Sequence, residues 1–125
     1  IIGIHQKVER GFKDLRDLAR IAPLRELRLD RAEITDAGLV HLAELAGLES
    51  LSLRTTALTD AGMEQIARMT SLEALAITHT GVGDAGLATL GALLSLRFLD
   101  VRNTEVTMAA VETFRRQHPD CVVRH

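Results

Sequence analysis

The chain has no tryptophan and no tyrosine, and its 125 residues include only three phenylalanines and one cysteine. Aromatics make up 2% of it, too little stacking surface for the usual enzyme pocket or nucleic-acid platform. The single cysteine, Cys121, excludes an internal disulfide framework and fits a reducing compartment, so the expected location is cytoplasmic. No apolar run approaches the roughly 20 residues needed to span a bilayer, and no signal-peptide pattern is visible. An excess of one charge is also missing. Fifteen Lys and Arg stand against 17 Asp and Glu, for a net charge of −2. That gives no general pull toward nucleic acid or an anionic membrane. Lysine occurs only at Lys7 and Lys13; the other basic residues are Arg, a bias that a GC-rich genome explains most simply, though the planar fork of Arg also suits carboxylates and is compatible with a protein-binding surface. The first residue is Ile1 rather than Met, which points to residues upstream and to flanking domains of the same chain.

Hydrophobic residues are plentiful, at 46%, enough for one domain with a sizeable core. They are also periodic. "ITDAGL" at Ile34 is followed by "LTDAGM" at Leu58, "VGDAGL" at Val82 and "VTMAAV" at Val106, each 24 residues after the last. In phase, the units are "LRELRLDRAEITDAGLVHLAELAG" from Leu24, "LESLSLRTTALTDAGMEQIARMTS" from Leu48, "LEALAITHTGVGDAGLATLGALLS" from Leu72 and "LRFLDVRNTEVTMAAVETFRRQHP" from Leu96.

Each unit changes period midway. Leu27 with Leu29, Leu51 with Leu53, Leu75 with Ile77 and Leu99 with Val101 are two apart, which puts each pair on one face of a strand. Further on, Leu39, Leu42 and Leu45, then Met63, Ile66 and Met69, then Leu87, Leu90 and Leu93, are three apart and form one stripe of a helix. A unit of strand, turn and helix cannot bury both faces alone. Stacked units build a continuous core.

The L-x-x-L-x-L pattern resembles that of leucine-rich repeats, and "ITDAGL" resembles the cysteine-containing kind of F-box receptors and its shorter bacterial relatives. The resemblance runs from Leu24 to about Cys121. It implies an α/β solenoid of about five repeats, with a curved parallel sheet on the concave side and short helices on the convex side. Residues 1–23 read as a degenerate first repeat, with Ile2 and Ile4 as its strand and Leu15, Leu18 and Ile21 as its helix; 24–119 read as four regular repeats and 120–125 as a C-terminal cap, with Pro119 ending the last helix and Cys121, Val122 and Val123 plugging the core. At the family's Asn/Cys position stand Ala32, Thr56, Thr80 and Thr104. The Thr hydroxyls could tie loop backbone between neighbouring units, as the family's Asn does. Ala32 cannot, so a looser loop is expected in its unit.

Thr35, Thr59 and Thr107 fall where an N-cap is needed, with Gly83 in their place in the third unit. Asp36, Asp60 and Asp84 follow in the first turn, where the helix dipole favours a carboxylate, and all three are read as caps. Gly38, Gly62 and Gly86 suit close packing of neighbours; the last unit has Met108 and Ala110 in place of Asp and Gly, as terminal repeats often differ.

Signs of chemistry are few. His118, Cys121 and His125 are zinc-ligand types, but only three. They read more simply as a capping Cys between two solvated histidines, and a buried tail-end Cys is a poor nucleophile. "GVGDAG" at Gly81 resembles a phosphate loop, but the other units lack its first two glycines, so a repeat turn explains it. No catalytic, cofactor or metal residues are assigned.

The outward strand residues form columns: Glu26, Ser50, Ala74, Phe98; Arg28, Ser52, Ala76, Asp100; Asp30, Arg54, Thr78, Arg102; Arg31, Thr55, His79, Asn103. Ala74, Ala76 and Phe98 make an apolar pad flanked by Arg54 and Arg102, with His79 near. Arg and aromatic residues are enriched at binding hot spots. The expectation is a non-catalytic module that binds a protein or peptide on the concave face, with these six residues as the site. The alternative is a spacer or oligomerisation segment stacking through its open N-terminal repeat.

Overall fold

The L-x-x-L-x-L segments form short strands and the segments after them short helices, in strict alternation. The computed structural model describes residues 24–45 and 47–125; the expected first repeat at 1–23 lies outside them. Strands β1 (Glu26–Arg28), β2 (Ser50–Ser52), β3 (Ala74–Ala76), β4 (Phe98–Asp100) and β5 (Val122–Arg124) form one parallel sheet in sequence order. The register follows the repeat: Leu27, Leu51, Leu75, Leu99 and Val123 pair in a row across it. Between strands come α1 (Leu39–Leu42), α2 (Met63–Ile66), α3 (Asp84–Thr89) and α4 (Met108–Gln117). A 3-10 turn precedes each of the first two, at Asp36–Gly38 and Asp60–Gly62, and another follows α3 at Leu90–Ala92.

The core is the sum of the two periodicities. The central strand residues, the second Leu of each L-x-L and the helix stripes are all buried in one cluster. Each buried Leu contributes about 1.5–3 kcal/mol over leaving it in water, and no unit could collect this without a neighbour.

The repeated phase of the "TDAG" segments has a different physical basis from capping. Neither Thr35 nor Thr59 makes a side-chain cap bond; only Thr107 does, accepting from the Ala110 N–H at 3.3 Å. The Asp side chains instead reach the next unit. Asp36 accepts from the Thr59 N–H at 2.9 Å and the Thr59 hydroxyl at 2.5 Å. Asp84 does the same to Thr107, at 2.7 and 2.8 Å. Unit three has Gly83 where Thr would stand, and there Asp60 Oδ1 accepts from the N–H groups of Gly83 and Gly86 at 2.6 and 3.0 Å. Each Asp is thus a tie between units. The glycines make room for these ties: a Cβ on Gly86 would lie 2.5 Å from Asp60 Oδ1 and 2.8 Å from Val82 Cγ1, and one on Gly62 would meet Asp36 Oδ1 and Leu39.

The Thr residues at the Asn/Cys position act within their own units. Thr56, Thr80 and Thr104 donate to the carbonyls of Leu53, Ile77 and Val101 at 2.8, 2.8 and 2.6 Å. At Ala32 the backbone N–H donates to the Leu29 carbonyl at 3.1 Å, and the turn keeps its shape: Arg31, Thr55, His79 and Asn103 all hold φ between 56° and 62°.

The C-terminal segment departs from expectation twice. Cys121 and Val123 are buried, but Val122 is 61% exposed, because strand alternation turns it to the open face beside Phe98. His118 is buried rather than solvated: its ring stacks on Phe114 at 4.2 Å, with Nδ1 3.2 Å from the Phe114 carbonyl and Nε2 2.9 Å from that of Gly91. Arg115 donates to the Val123 carbonyl at 2.8 Å and so occupies a backbone acceptor of β5, which blunts it as a template for added strands.

Candidate functional site

Because the strands lie in exact 24-residue register, residues of like phase become neighbours about 4.8 Å apart. Glu26, Ser50, Ala74 and Phe98 form one row on the open face of the sheet, and Arg28, Ser52, Ala76 and Asp100 another. The small residues of β2 and β3 leave a depression of about 140 Å³, lined by Ser50, Ser52, Ala74, Ala76, Arg28, Arg54 and Phe98 among others. Phe98 is half-buried. Part of its cover is Arg124 of β5, whose guanidinium carbon lies 5.6 Å from the ring centroid, within cation–π range.

A longer groove of about 690 Å³ follows the C-terminal ends of the strands. The third column, Asp30, Arg54, Thr78 and Arg102, and the fourth, Arg31, Thr55, His79 and Asn103, line it. These residues lie past the three-residue strands, on the loops that leave the sheet. The six expected site residues therefore divide between two adjoining surfaces. Ala74, Ala76 and Phe98 line the depression, His79 and Arg102 the groove, and Arg54 both.

The pattern gave no special role to Asp100, yet its side chain is fully buried beneath the two arginines. Arg102 grips it with Nε on Oδ1 at 2.9 Å and a terminal nitrogen on Oδ2 at 2.7 Å. Arg54 approaches the same Oδ2 at 3.9 Å. Burial acts to raise the pKa of Asp100, but the side-chain and backbone hydrogen bonds of Arg102 and the charges of Arg102 and Arg54 outweigh it, leaving the carboxyl below its ordinary value. Arg102 is held above its ordinary value by the hydrogen bond and charge of Asp100. Both guanidiniums still reach solvent, with side-chain exposures of 46% for Arg54 and 48% for Arg102. Asp30 is similarly committed: its Oδ1 accepts from the Ser52 hydroxyl at 2.5 Å and the Arg54 N–H at 2.9 Å. The one available signal for Asp100 was its spacing, two residues before Arg102 in a row otherwise holding Ser and Ala.

The His118, Cys121 and His125 spacing does not converge on a site. His118 is held by the Phe114 and Gly91 carbonyls, and His125 Nε2 lies 2.9 Å from the Val106 carbonyl. Burial raises the pKa of Cys121, which works against thiolate formation. Among the described residues no cluster of His, Cys, Asp and Glu could hold a metal ion, and no helix is long and apolar enough to cross a membrane.

A leucine-rich repeat family model matches residues 22–43 and 68–91. Three solved structures share the fold. A leucine-rich repeat protein of Leptospira interrogans superposes with a TM-score of 0.63 at 20% identity, over 87% of this chain and 27% of that one. An internalin of Listeria monocytogenes gives 0.56 at 16% identity, over 89% of this chain and 36% of that one. The Chaetomium Mex67:Mtr2 structure gives 0.60 at 13% identity, over 95% of this chain and 88% of the matched chain. The chain thus spans about a third of the first two relatives' length. No curated protein matches the sequence. Strand order, repeat phase and these likenesses make the fold a leucine-rich repeat solenoid.

Proposed function

We propose that this leucine-rich repeat solenoid is a non-catalytic recognition module, part of a larger protein, that binds a protein or peptide on the open face of its sheet. Within the repeat proteins we assign it to the cysteine-containing subtype, on the strength of Ile34–Leu39 and its copies. The observation that carries the binding reading is the meeting of two unlike surfaces at Arg54. A depression floored by the small residues Ser50, Ser52, Ala74 and Ala76 and walled by Phe98 adjoins a longer groove holding Arg102 and His79. Aromatic and Arg anchors beside small residues are what a partner's side chains dock against. The fold itself is commonly used for protein binding.

The test is a paired capture from lysate with the wild-type chain and with Phe98→Asp/Arg54→Glu, both shown folded by circular dichroism. The identified partner is then rebound to each purified chain. Rebinding to wild type alone is the expected result. Equal rebinding refutes the site. Captures that do not differ, together with concentration-dependent assembly, would favour the spacer alternative.

A further inference from the structure

We infer that the groove is a carboxylate-binding site, and that its ligand is an acidic side chain on an extended peptide segment. The inference rests on the recognition reading above and names the chemistry of the partner. It begins with Asp100. That buried carboxylate draws two guanidiniums to one point: nitrogens of Arg102 and Arg54 lie 2.7 and 3.9 Å from the same Oδ2. Two positive charges thus share one negative charge, and the site keeps a net charge of about +1. Each guanidinium carries five N–H donors. Arg102 spends two contacts on Asp100, and both heads reach solvent. A second carboxylate approaching from the open side would complete the set, with Asp100 below and the ligand above. The planar fork of Arg matches a carboxylate better than a point charge does.

The surroundings agree. Arg31, His79 and Asn103 line the same groove, and among the described residues their side chains make no hydrogen bond or ion pair. Asp30 is the opposing charge, one unit from Arg54 and three from Arg102, with Oδ1 already engaged by the Ser52 hydroxyl and the Arg54 N–H. The groove is therefore rich in uncommitted donors where Arg54, His79 and Arg102 meet. It draws on all four units, so it runs about three strand spacings, roughly 14 Å. That length accepts about four residues of extended chain. A groove that long favours an internal acidic residue over a chain terminus. Too few cations line it for a nucleic-acid backbone, which needs a stripe of them.

Random octapeptides joined to their carrier through their C-termini, and so lacking a free terminal carboxylate, are selected on the full 125-residue chain. Selected peptides are measured against wild type, Arg54→Gln, Phe98→Asp and the double variant Asp100→Asn/Arg102→Gln. The double variant removes the buried charge with its partner, so that folding is kept. Enrichment of Asp and Glu is expected. Amide replacement of the acid, or Arg54→Gln, should weaken binding by roughly tenfold or more, as loss of a charge-assisted pair does. The double variant should weaken it as much. Peptides without acidic enrichment that are lost on Phe98→Asp would overturn the carboxylate assignment and leave the recognition reading standing. Acidic peptides indifferent to both arginine variants overturn it as well. No selected peptide, or binding unchanged in every variant, refutes both readings.

Discussion

Replacing Asp60 by Ala should destabilise the chain far more than replacing Asp84, although both stand in the same place of their repeats. Asp60 Oδ1 holds two backbone N–H groups, of Gly83 and Gly86, at 2.6 and 3.0 Å, and both glycines are buried. Hydrogen bonds to a charged group contribute roughly 1.5–3 kcal/mol each, but these two share one oxygen and will not add fully. Without Asp60, buried donors lose their partner, and Gly83 brings no hydroxyl of its own to replace it. The expected loss is about 3 kcal/mol. Asp84 bonds the Thr107 N–H and hydroxyl, and both residues are exposed. Water takes its place, and Thr107 still caps Ala110. The expected loss is about 1 kcal/mol. Urea unfolding followed by far-UV circular dichroism suits a chain without Trp or Tyr. With a slope of about 1–3 kcal/mol per molar, Asp60→Ala should lower the midpoint by roughly 1–3 M and Asp84→Ala by about a third of that. Asp60→Asn keeps an acceptor oxygen and should recover most of the difference. Equal midpoints for the two Ala variants, or no rescue by Asn, would refute the inter-unit tie as the reason for the repeated Asp.

Gly86→Ala should cost about 1–3 kcal/mol, the range for overpacking, because its Cβ would come within 2.9 Å of Asp60, Val82 and Met63 alike. Gly47→Ala meets nothing within 4 Å and should be neutral or stabilising by up to about 1 kcal/mol; the same urea titration separates them. Thr55 is exposed and β-branched at φ 56°, an unfavourable region for such a residue. Thr55→Asn, matching Asn103 in the last unit, should raise the thermal midpoint by a few degrees, about 0.5–1 kcal/mol. Asp100 is held below its ordinary value of 3.8, so at low pH the unfolded chain binds the proton first. Its stabilisation is fully present above that value and is lost as pH falls through the lower folded value. Urea midpoints measured downward from pH 6 should therefore fall below about pH 4, and Asp100→Asn should remove that part of the fall. A parallel decline in both chains would show that other carboxylates cause it.

Repeat phase carried most of the fold. Leu27, Leu51, Leu75 and Leu99 are two residues from their partners and 24 from one another, so strand direction, register and core face follow before any coordinates are known. The site was partly legible on the same grounds. Column membership placed Arg54 beside Thr78 and Phe98 beside Ala74, since equal phase means adjacency in a parallel stack. It did not distinguish a column on the sheet from one on the loop edge. Thus Phe98 and Arg102 fall on adjoining surfaces rather than one.

What the sequence by itself determined is each residue's position within its own unit: strand or helix, inward or outward. Local backbone geometry repeats every 24 residues, and side-chain direction follows from it. What only the tertiary structure decided is which polar groups meet across units. Asp36 looks like a cap in its own helix and becomes a clasp on Thr59, 23 residues on. Asp100 looks like one more outward residue and becomes a buried anchor for Arg102. A hydrogen bond is settled by the last ångström of separation between neighbouring units, and that separation exists only once the units have stacked.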